Sequence, residues 1–310
     1  MKPKIFIDGR EGTTGLQIYD RLSGRDDITL LPIGEAMRKD VSERKKLINR
    51  ADLVFLCLPD DAARESVSLI ENDRTCVIDA STAHRTNADW VYGFPELSRE
   101  HREKIANARR VANPGCHATG FIAAAYPLIK LGIIPPDYPL SCVSLTGYSG
   151  GGKTMIHAYD EEKKPEMYAP RLYGLDLRHK HLPEIIYVAG LKRPPVFCPV
   201  VDDYYCGMAT TITLHNYMLA ESPTAEDIRQ KLAEYYAGER FVTVAPELGK
   251  GMLESNWGVS TNELELTVSG NDELTIVTAR FDNLGKGASG AAVQNMNIML
   301  GMREDLGVTI

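Results

Sequence analysis

From Lys4 to Asp79 the chain alternates short apolar runs with amphipathic stretches: strand-like Lys4–Asp8, Thr29–Ile33, Leu53–Leu58 and Cys76–Asp79, separated by helical patterns at Leu16–Leu22, Val41–Asn49 and Ala62–Ile70. This alternation predicts βαβ units around a parallel sheet. The run Leu53-Val54-Phe55-Leu56-Cys57-Leu58 is continuously apolar and stops at Pro59-Asp60-Asp61. That is the pattern of a central parallel strand covered on both faces, and the run is too short for a buried helix. From about Val111 the pattern changes. An apolar helix at Thr119–Leu131 precedes a proline-rich break, Ile134-Pro135-Pro136-Asp137, and strands follow at Cys142–Thr146, Met208–His215, Glu263–Val268 and Glu273–Phe281. The last two flank Ser269-Gly270-Asn271-Asp272, a hairpin turn, so this half predicts a mixed or antiparallel sheet. A final helix is expected over Ala288–Leu300, where Ala292, Met296, Met299 and Leu300 recur at helical spacing.

The length of 310 residues gives room for about two domains. Thirty-five basic against 42 acidic residues leave a net charge of −7, with no basic stripe, so neither nucleic acid nor a membrane surface is expected as a partner. The longest apolar run, Phe121–Ile129, contains Pro127 and falls far short of the ~20 residues that span a bilayer. Met1-Lys2-Pro3-Lys4 leads straight into a strand without a signal-type apolar region, which sets a cytoplasmic location as the expectation. Six scattered cysteines with no Cys-x-x-Cys pair make neither a disulfide framework nor a zinc pattern.

Three segments carry chemistry. Gly9-Arg10-Glu11-Gly12-Thr13-Thr14-Gly15 lies between the first strand and first helix, where free N–H groups hold a dinucleotide pyrophosphate. Beyond the second strand, Arg38 and Lys39 suit a ribose 2′-phosphate and so NADP, while Glu35 suits NAD. Asn113-Pro114-Gly115-Cys116 places a thiol at the start of the apolar helix, where the dipole favours a thiolate and backbone N–H groups can cradle an oxyanion. The compact set Tyr173-Gly174-Leu175-Asp176-Leu177-Arg178-His179-Lys180-His181-Leu182-Pro183-Glu184 offers two imidazoles and a carboxylate for proton transfer; the same pair of histidines could form half a metal site, but no third His or Cys stands nearby at ligand spacing. His117 ranks third as a base, because its side chain points about 100° from that of Cys116. The loop Gly147-Tyr148-Ser149-Gly150-Gly151-Gly152-Lys153 could close over an anionic substrate.

Five segments together resemble the N-acetyl-γ-glutamyl-phosphate reductases, the arginine-biosynthetic members of the semialdehyde dehydrogenase group. They are Asp79-Ala80-Ser81-Thr82-Ala83-His84-Arg85, Tyr92-Gly93-Phe94-Pro95-Glu96-Leu97, Asn113-Pro114-Gly115-Cys116, His179–Glu184, and the long stretch Asp282–Asn297. The turn Gly-Arg-Glu-Gly-Thr-Thr-Gly and His117 depart from the longer members, which carry G-x-T-G-Y-x-G and a tyrosine after the cysteine. The short chain thus resembles the compact second type.

The resemblance implies an α/β fold: a Rossmann-type domain over residues 1–115, with a closing helix 287–310 returning to it, and a glyceraldehyde-3-phosphate-dehydrogenase-like domain with a mixed sheet over residues 116–286. It implies NADP as cofactor, held by Gly9, Gly12, Thr13, Thr14, Gly15, Arg38, Pro59, Ser81, Asn283 and Lys286. Cys116 is then the nucleophile, forming a thioester from the acyl phosphate, with His179 as acid–base group and His181 and Glu184 orienting. Arg85, Asn113, Ser149, Gly150, Lys153 and Arg171 are the implied substrate contacts, and no metal is implied. A homodimer or homotetramer follows from the same likeness. Aspartate-semialdehyde dehydrogenase or an N-acetyl-aminoadipyl-phosphate reductase would share this chemistry. A nucleotide-binding regulatory module or a cofactor-free thiol hydrolase are the alternatives from other classes.

Overall fold

The computed structural model describes residues 2–309. The chain divides into two compact units, one running to Pro114 and joined by Ala288–Thr309, the other Gly115–Gly287.

The first unit contains, in order, β1 (Lys4–Asp8), α1 (Thr13–Ser23), β2 (Thr29–Leu30), α2 (Val41–Arg50), β3 (Leu53–Leu56), α3 (Asp60–Ser68), β4 (Cys76–Asp79), β5 (Val91–Tyr92), α4 (Arg99–Asn107) and β6 (Arg110–Ala112). All six strands are parallel, in the order β2-β1-β3-β4-β6-β5. Alternate residues of the strands feed two cores. Ile5, Ile7, Leu53, Phe55 and Ile78 pack with Ile18 and Leu22 of α1 and Ile105 of α4. Phe6, Val54, Leu56 and Val77 pack on the other face with Leu47 and Ile48 of α2 and Ala63 of α3. Both faces are covered, which is why the Leu53–Leu58 run shows no alternation.

The second unit contains α5 (Cys116–Lys130), β7 (Ser141–Gly147), α6 (Gly152–Asp160), β8 (Arg171–Leu172), α7 (Leu182–Ala189), β9 (Val196–Asp202), β10 (Met208–His215), α8 (Ala225–Tyr235), β11 (Val242–Val244), β12 (Leu264–Gly270) and β13 (Leu274–Phe281). Its sheet is mixed, in the order β11-β12-β13-β10-β7-β9-β8, with parallel pairs only at β7/β9 and β11/β12. The β12–β13 hairpin closes at Asn271, whose Oδ1 accepts the N–H groups of Glu273 and Leu274 at 2.8 and 2.9 Å. Helix α5 packs against β10 and β13 and is buried along most of its length. Gly120 makes that approach possible: a Cβ there would stand 2.6 Å from the Thr210 Cβ. Pro127 sits inside α5, and the carbonyl of Ala123 that its missing N–H would have bonded accepts the Tyr236 hydroxyl instead, at 2.9 Å.

After Gly287 the chain rejoins the first unit. Helix α9 spans Gly290–Met299 and packs against α1 and α4, contributing Ala292, Val293 and Met296 to the core. The expectation of a helix over 287–310, whose last residue lies outside the described residues, is corrected: a π-type turn at Gly285–Ser289 precedes α9, and Gly301, at φ +66°, follows it, with a turn at 304–307 and no helix up to Thr309. Among the described residues no helix is long and apolar enough to cross a membrane.

Candidate active site

In the first unit, the sheet order reverses at β1, flanked by β2 on one side and β3 on the other, and ligands of open parallel sheets bind outside the strand C-termini at such a point. Gly9, the residue after β1, has φ +86°, and a Cβ on it would run into the Cys57 carbonyl oxygen that follows β3. Gly15 is equally constrained, since a Cβ there would stand 2.5 Å from the Gly9 carbonyl oxygen. Helix α1 starts after Gly12 with no side-chain cap and no acidic residue in its first turn, and the buried Thr13 hydroxyl has no hydrogen-bond partner. An uncapped helix start in a cradle only glycine can line fits a pyrophosphate. Beside it a cleft of about 510 Å³ is lined by Gly9, Arg10, Glu35, Arg38, Lys39 and Leu58, among others. Arg10, which the sequence reading passed over, stacks its guanidinium 3.3 Å from the Tyr19 ring centroid and buries an unpartnered Nε. Arg44, also in the cleft wall, is already paired with Asp8 at 3.1 Å. Pro59 opens α3 at its N-cap.

Also in the first unit, the Asp79–Arg85 segment is an internal brace. The buried Asp79 carboxylate accepts the Ser81 N–H and hydroxyl at 2.9 and 2.8 Å, and its Oδ2 lies 2.6 Å from His84 Nδ1. The His84 ring stacks on Trp90 at 4.0 Å. Arg85 was expected to meet a substrate anion. Instead its buried guanidinium donates to the backbone carbonyls of Asn113 and Ala80 at 2.9 and 3.0 Å, so it fixes the turn before the cysteine. The Asn113 amide likewise donates to the Ala288 carbonyl at 3.0 Å.

In the second unit Cys116 is the first residue of α5, half-buried, behind Gly115 as an uncapped N-cap. A Cβ on Gly287 would stand 2.9 Å from the Cys116 Cβ, so the glycine is required where the last segment passes the thiol. Four of the other cysteines have their thiols pushed up: burial raises Cys57, Cys76 and Cys142, and the half-buried Cys206 is pushed up to about 11 by desolvation and by Asp282.

Three imidazoles and a phenol gather in this unit. The His179 ring centroid lies 4.8 Å from that of His181 and 5.3 Å from that of His117. The His181 N–H donates to His179 Nδ1 at 3.2 Å, which places the hydrogen of the neutral His179 ring on Nε2. Burial, helped by the Lys180 charge, lowers His179 to about 4. His117 does not point away from the site as expected: the Tyr173–His181 segment packs beside its face of α5, where Nε2 meets the Tyr173 hydroxyl at 2.6 Å and Nδ1 meets Ser144 Oγ at 2.7 Å. Burial, then His179 and Lys180, hold it down at about 3. Tyr173 is pushed up by burial and by the neighbouring Cys116. The loop between them carries Leu177 at φ +56°, a left-handed strain typical of functional segments. His181 and Glu184, both buried, open α7.

The remaining expected residues are spread around this unit. Asn283 donates to Ser149 Oγ at 3.0 Å and accepts the Gly207 N–H at 2.8 Å, tying the glycine loop to the start of β10. Lys286 is buried, its ammonium 5.5 Å from the Phe241 ring centroid. Gly150 and Lys153 are exposed. Arg171 donates to the Tyr159 hydroxyl at 2.9 Å in a cavity of about 380 Å³ lined also by Met155, Glu162, Lys164 and Met167.

Residues 9–105 match the family described as semialdehyde dehydrogenase, NAD binding domain, and residues 116–283 match semialdehyde dehydrogenase, dimerisation domain. The chain is 50% identical to N-acetyl-gamma-glutamyl-phosphate reductase 2 of Nostoc sp., with 99% of each chain covered. It is 51% identical to the N-acetyl-gamma-glutamyl-phosphate reductase of Trichormus variabilis, again over 99% of each. Among solved structures it is similar in fold to aspartate semialdehyde dehydrogenase II of Vibrio cholerae complexed with ASA, with a TM-score of 0.74 at 14% identity, covering 97% of this chain and 99% of that one. The aspartate semialdehyde dehydrogenase of Candida albicans with NADP gives a TM-score of 0.64 at 15% identity, covering 97% and 99%. A dinucleotide cradle in one unit, a thiol opening a helix next in sequence to one of three clustered imidazoles in the other, and near-complete matches along both place the chain in the semialdehyde dehydrogenase family, among its N-acetyl-γ-glutamyl-phosphate reductases.

Proposed function

We propose that this oxidoreductase reduces N-acetyl-γ-glutamyl phosphate to N-acetylglutamate γ-semialdehyde with NADPH, releasing phosphate, as a cytoplasmic step of arginine biosynthesis. The observation that carries it is full-length identity of about half to reductases of that name, joined to a thiol that opens a helix whose next residue, His117, packs its ring against His179.

The uncapped first turn of α5 favours the Cys116 thiolate, which attacks the acyl carbon and expels phosphate, leaving a thioester. The N–H groups of that turn, which no side chain caps, stabilise the oxyanion. When bound, the reduced nicotinamide supplies the hydride for the thioester carbon. His179, neutral with its hydrogen on Nε2, donates that hydrogen to the thiohemiacetal oxygen and takes it back as the aldehyde leaves. The free start of α1, the Thr13 hydroxyl and Gly9, Gly12 and Gly15 would hold the pyrophosphate; Arg10, Arg38 and Lys39 in the adjacent cleft would take the 2′-phosphate. For the substrate, Arg171 in its amphipathic cavity suits the α-carboxylate, and Lys153 with the Ser149–Gly150 loop suits the phosphate. Arg85 is committed to backbone carbonyls and is assigned no anion.

The test runs the reaction backwards. Purified protein with N-acetylglutamate γ-semialdehyde, inorganic phosphate and NADP is expected to form NADPH, dependent on phosphate. A signal with aspartate semialdehyde and none with the acetylated substrate would overturn the substrate and keep the chemistry.

A further inference from the structure

Behind the nucleophile lies a buried chain of hydroxyls and one imidazole that the reduction above leaves unused. His117 is 2% exposed and engages both ring nitrogens, Nδ1 with Ser144 Oγ at 2.7 Å and Nε2 with the Tyr173 hydroxyl at 2.6 Å. Ser144 in turn meets Thr210 Oγ1 at 2.8 Å, and both hydroxyls are fully buried. A neutral imidazole has one N–H, so one nitrogen donates and the other accepts. With the hydrogen on Nε2, His117 donates to the phenol oxygen, Nδ1 accepts from Ser144, and Ser144 accepts from Thr210. The phenol hydrogen is then free to be given away from His117.

We propose that His117 is a positioning residue: through its Nε2 hydrogen bond it holds the Tyr173 hydroxyl so that the phenol hydrogen is donated to the Cys116 sulfur, stabilising the thiolate. This role rests on Cys116 being the nucleophile. Around the His117 and Tyr173 rings stand His179 and His181 from the segment before α7, with the Lys180 charge felt at His117; β9 adds the apolar Phe197, and the chain of hydroxyls runs on through the uncharged Ser144 of β7 and Thr210 of β10. Burial keeps His117 neutral throughout the working range, so it acts by direction and not by exchanging charge. The charge of Cys116 is felt at Tyr173, which stays protonated and able to donate.

The test uses the full chain and reads the pH dependence of Cys116 alkylation by iodoacetamide together with kcat and KM. Tyr173→Phe and His117→Asn, whose short amide reaches only the Ser144 side, are expected to move the alkylation profile up by about one pH unit and lower kcat about 10–100-fold with KM held within about threefold. Combined, they lose no more than either alone. His117→Gln, whose amide nitrogen reaches the Nε2 position, is expected to recover at least about fivefold of the rate lost in His117→Asn. An unshifted profile in Tyr173→Phe, or equal losses in the Gln and Asn variants, overturns the role of His117 while leaving the nucleophile in place. Turnover in Cys116→Ser would overturn the nucleophile itself and this role with it.

Discussion

The proposed reactivity of Cys116 rests on its place in the first turn of α5: Gly115 offers no side-chain cap there, so the N–H groups and dipole of the helix start favour a charged sulfur or oxygen. Cys116→Ser is expected to bring turnover to background while NADPH affinity, read by fluorescence titration, stays within about threefold, since the hydroxyl is the far weaker nucleophile but nearly the same size. His179→Ala is expected to lower kcat by about 10²–10⁴, and a larger loss in His181→Ala would exchange their roles. Burial has a second consequence. His117 and His179 are held at about 3 and about 4, below the ordinary 6.5, so between those values the unfolded chain binds protons that the folded one refuses. Their penalty is absent above about pH 6.5 and grows as pH falls through the range to about pH 4, so thermal unfolding is expected to shift to lower temperature there. In His117→Gln that acid shift is expected to shrink, measured by calorimetry across pH 4–7. Cys116 and His179 stood out in the sequence as candidates because each sits in a local pattern with chemical meaning. Tyr173 and Arg10 stood inside the candidate segments but without roles, since a phenol becomes a partner of His117 and a guanidinium stacks on Tyr19 only in the folded chain, and no spacing records those contacts.

Elements show a similar division between what local pattern carries and what packing decides. β4 and β10 have the ends their apolar runs suggest, and α8 has a visible start in the Thr224–Asp227 capping box, although no apolar stripe drew notice to it. The strand expected over Thr29–Ile33 shrinks to Thr29–Leu30, because β2 is an edge with a partner only in β1. Helix α5 begins earlier than its apolar run, at Cys116, and continues through Pro127 because Tyr236 serves the abandoned Ala123 carbonyl. Tyr236→Phe removes that donor from a buried acceptor and is expected to cost about 1–3 kcal/mol in denaturant unfolding, with little change in KM. The π-type turn before α9 explains itself at Gly287, whose missing side chain leaves room for Cys116. Gly287→Ala would press a methyl to 2.9 Å from the Cys116 Cβ, and is expected to lower kcat more than it lowers the unfolding midpoint.

At the scale of the whole molecule, one sheet face of the second unit carries exposed aliphatic side chains interspersed with threonines, and among the described residues no helix packs on it. Val143 of β7 pairs across to Cys198 of β9 and to Thr211 of β10, and Thr213 of β10 pairs with Ile276 of β13, so these side chains share a face with Val196 and Leu274. Val143, Val196, Leu274 and Ile276 are between 39% and 53% exposed, while the opposite face of the same strands is buried under α5 and α8. Four exposed aliphatic side chains on one flat sheet face, set among uncharged threonines, suit a contact surface, and a net charge of −7 on a chain of 310 residues does not keep two such faces apart at physiological ionic strength. A second copy is the expected occupant, because the closed two-fold pairing of identical faces covers both at once. Val143→Asp with Ile276→Asp places two carboxylates on each face, four where the two faces meet. Light scattering coupled to size exclusion is expected to show the parent chain as a dimer or larger and the double variant shifted toward the monomer. Both substitutions lie on the exposed face, so the fold of the unit, read by circular dichroism, is expected to persist; a variant that keeps the parent's mass in solution would place the subunit contact elsewhere.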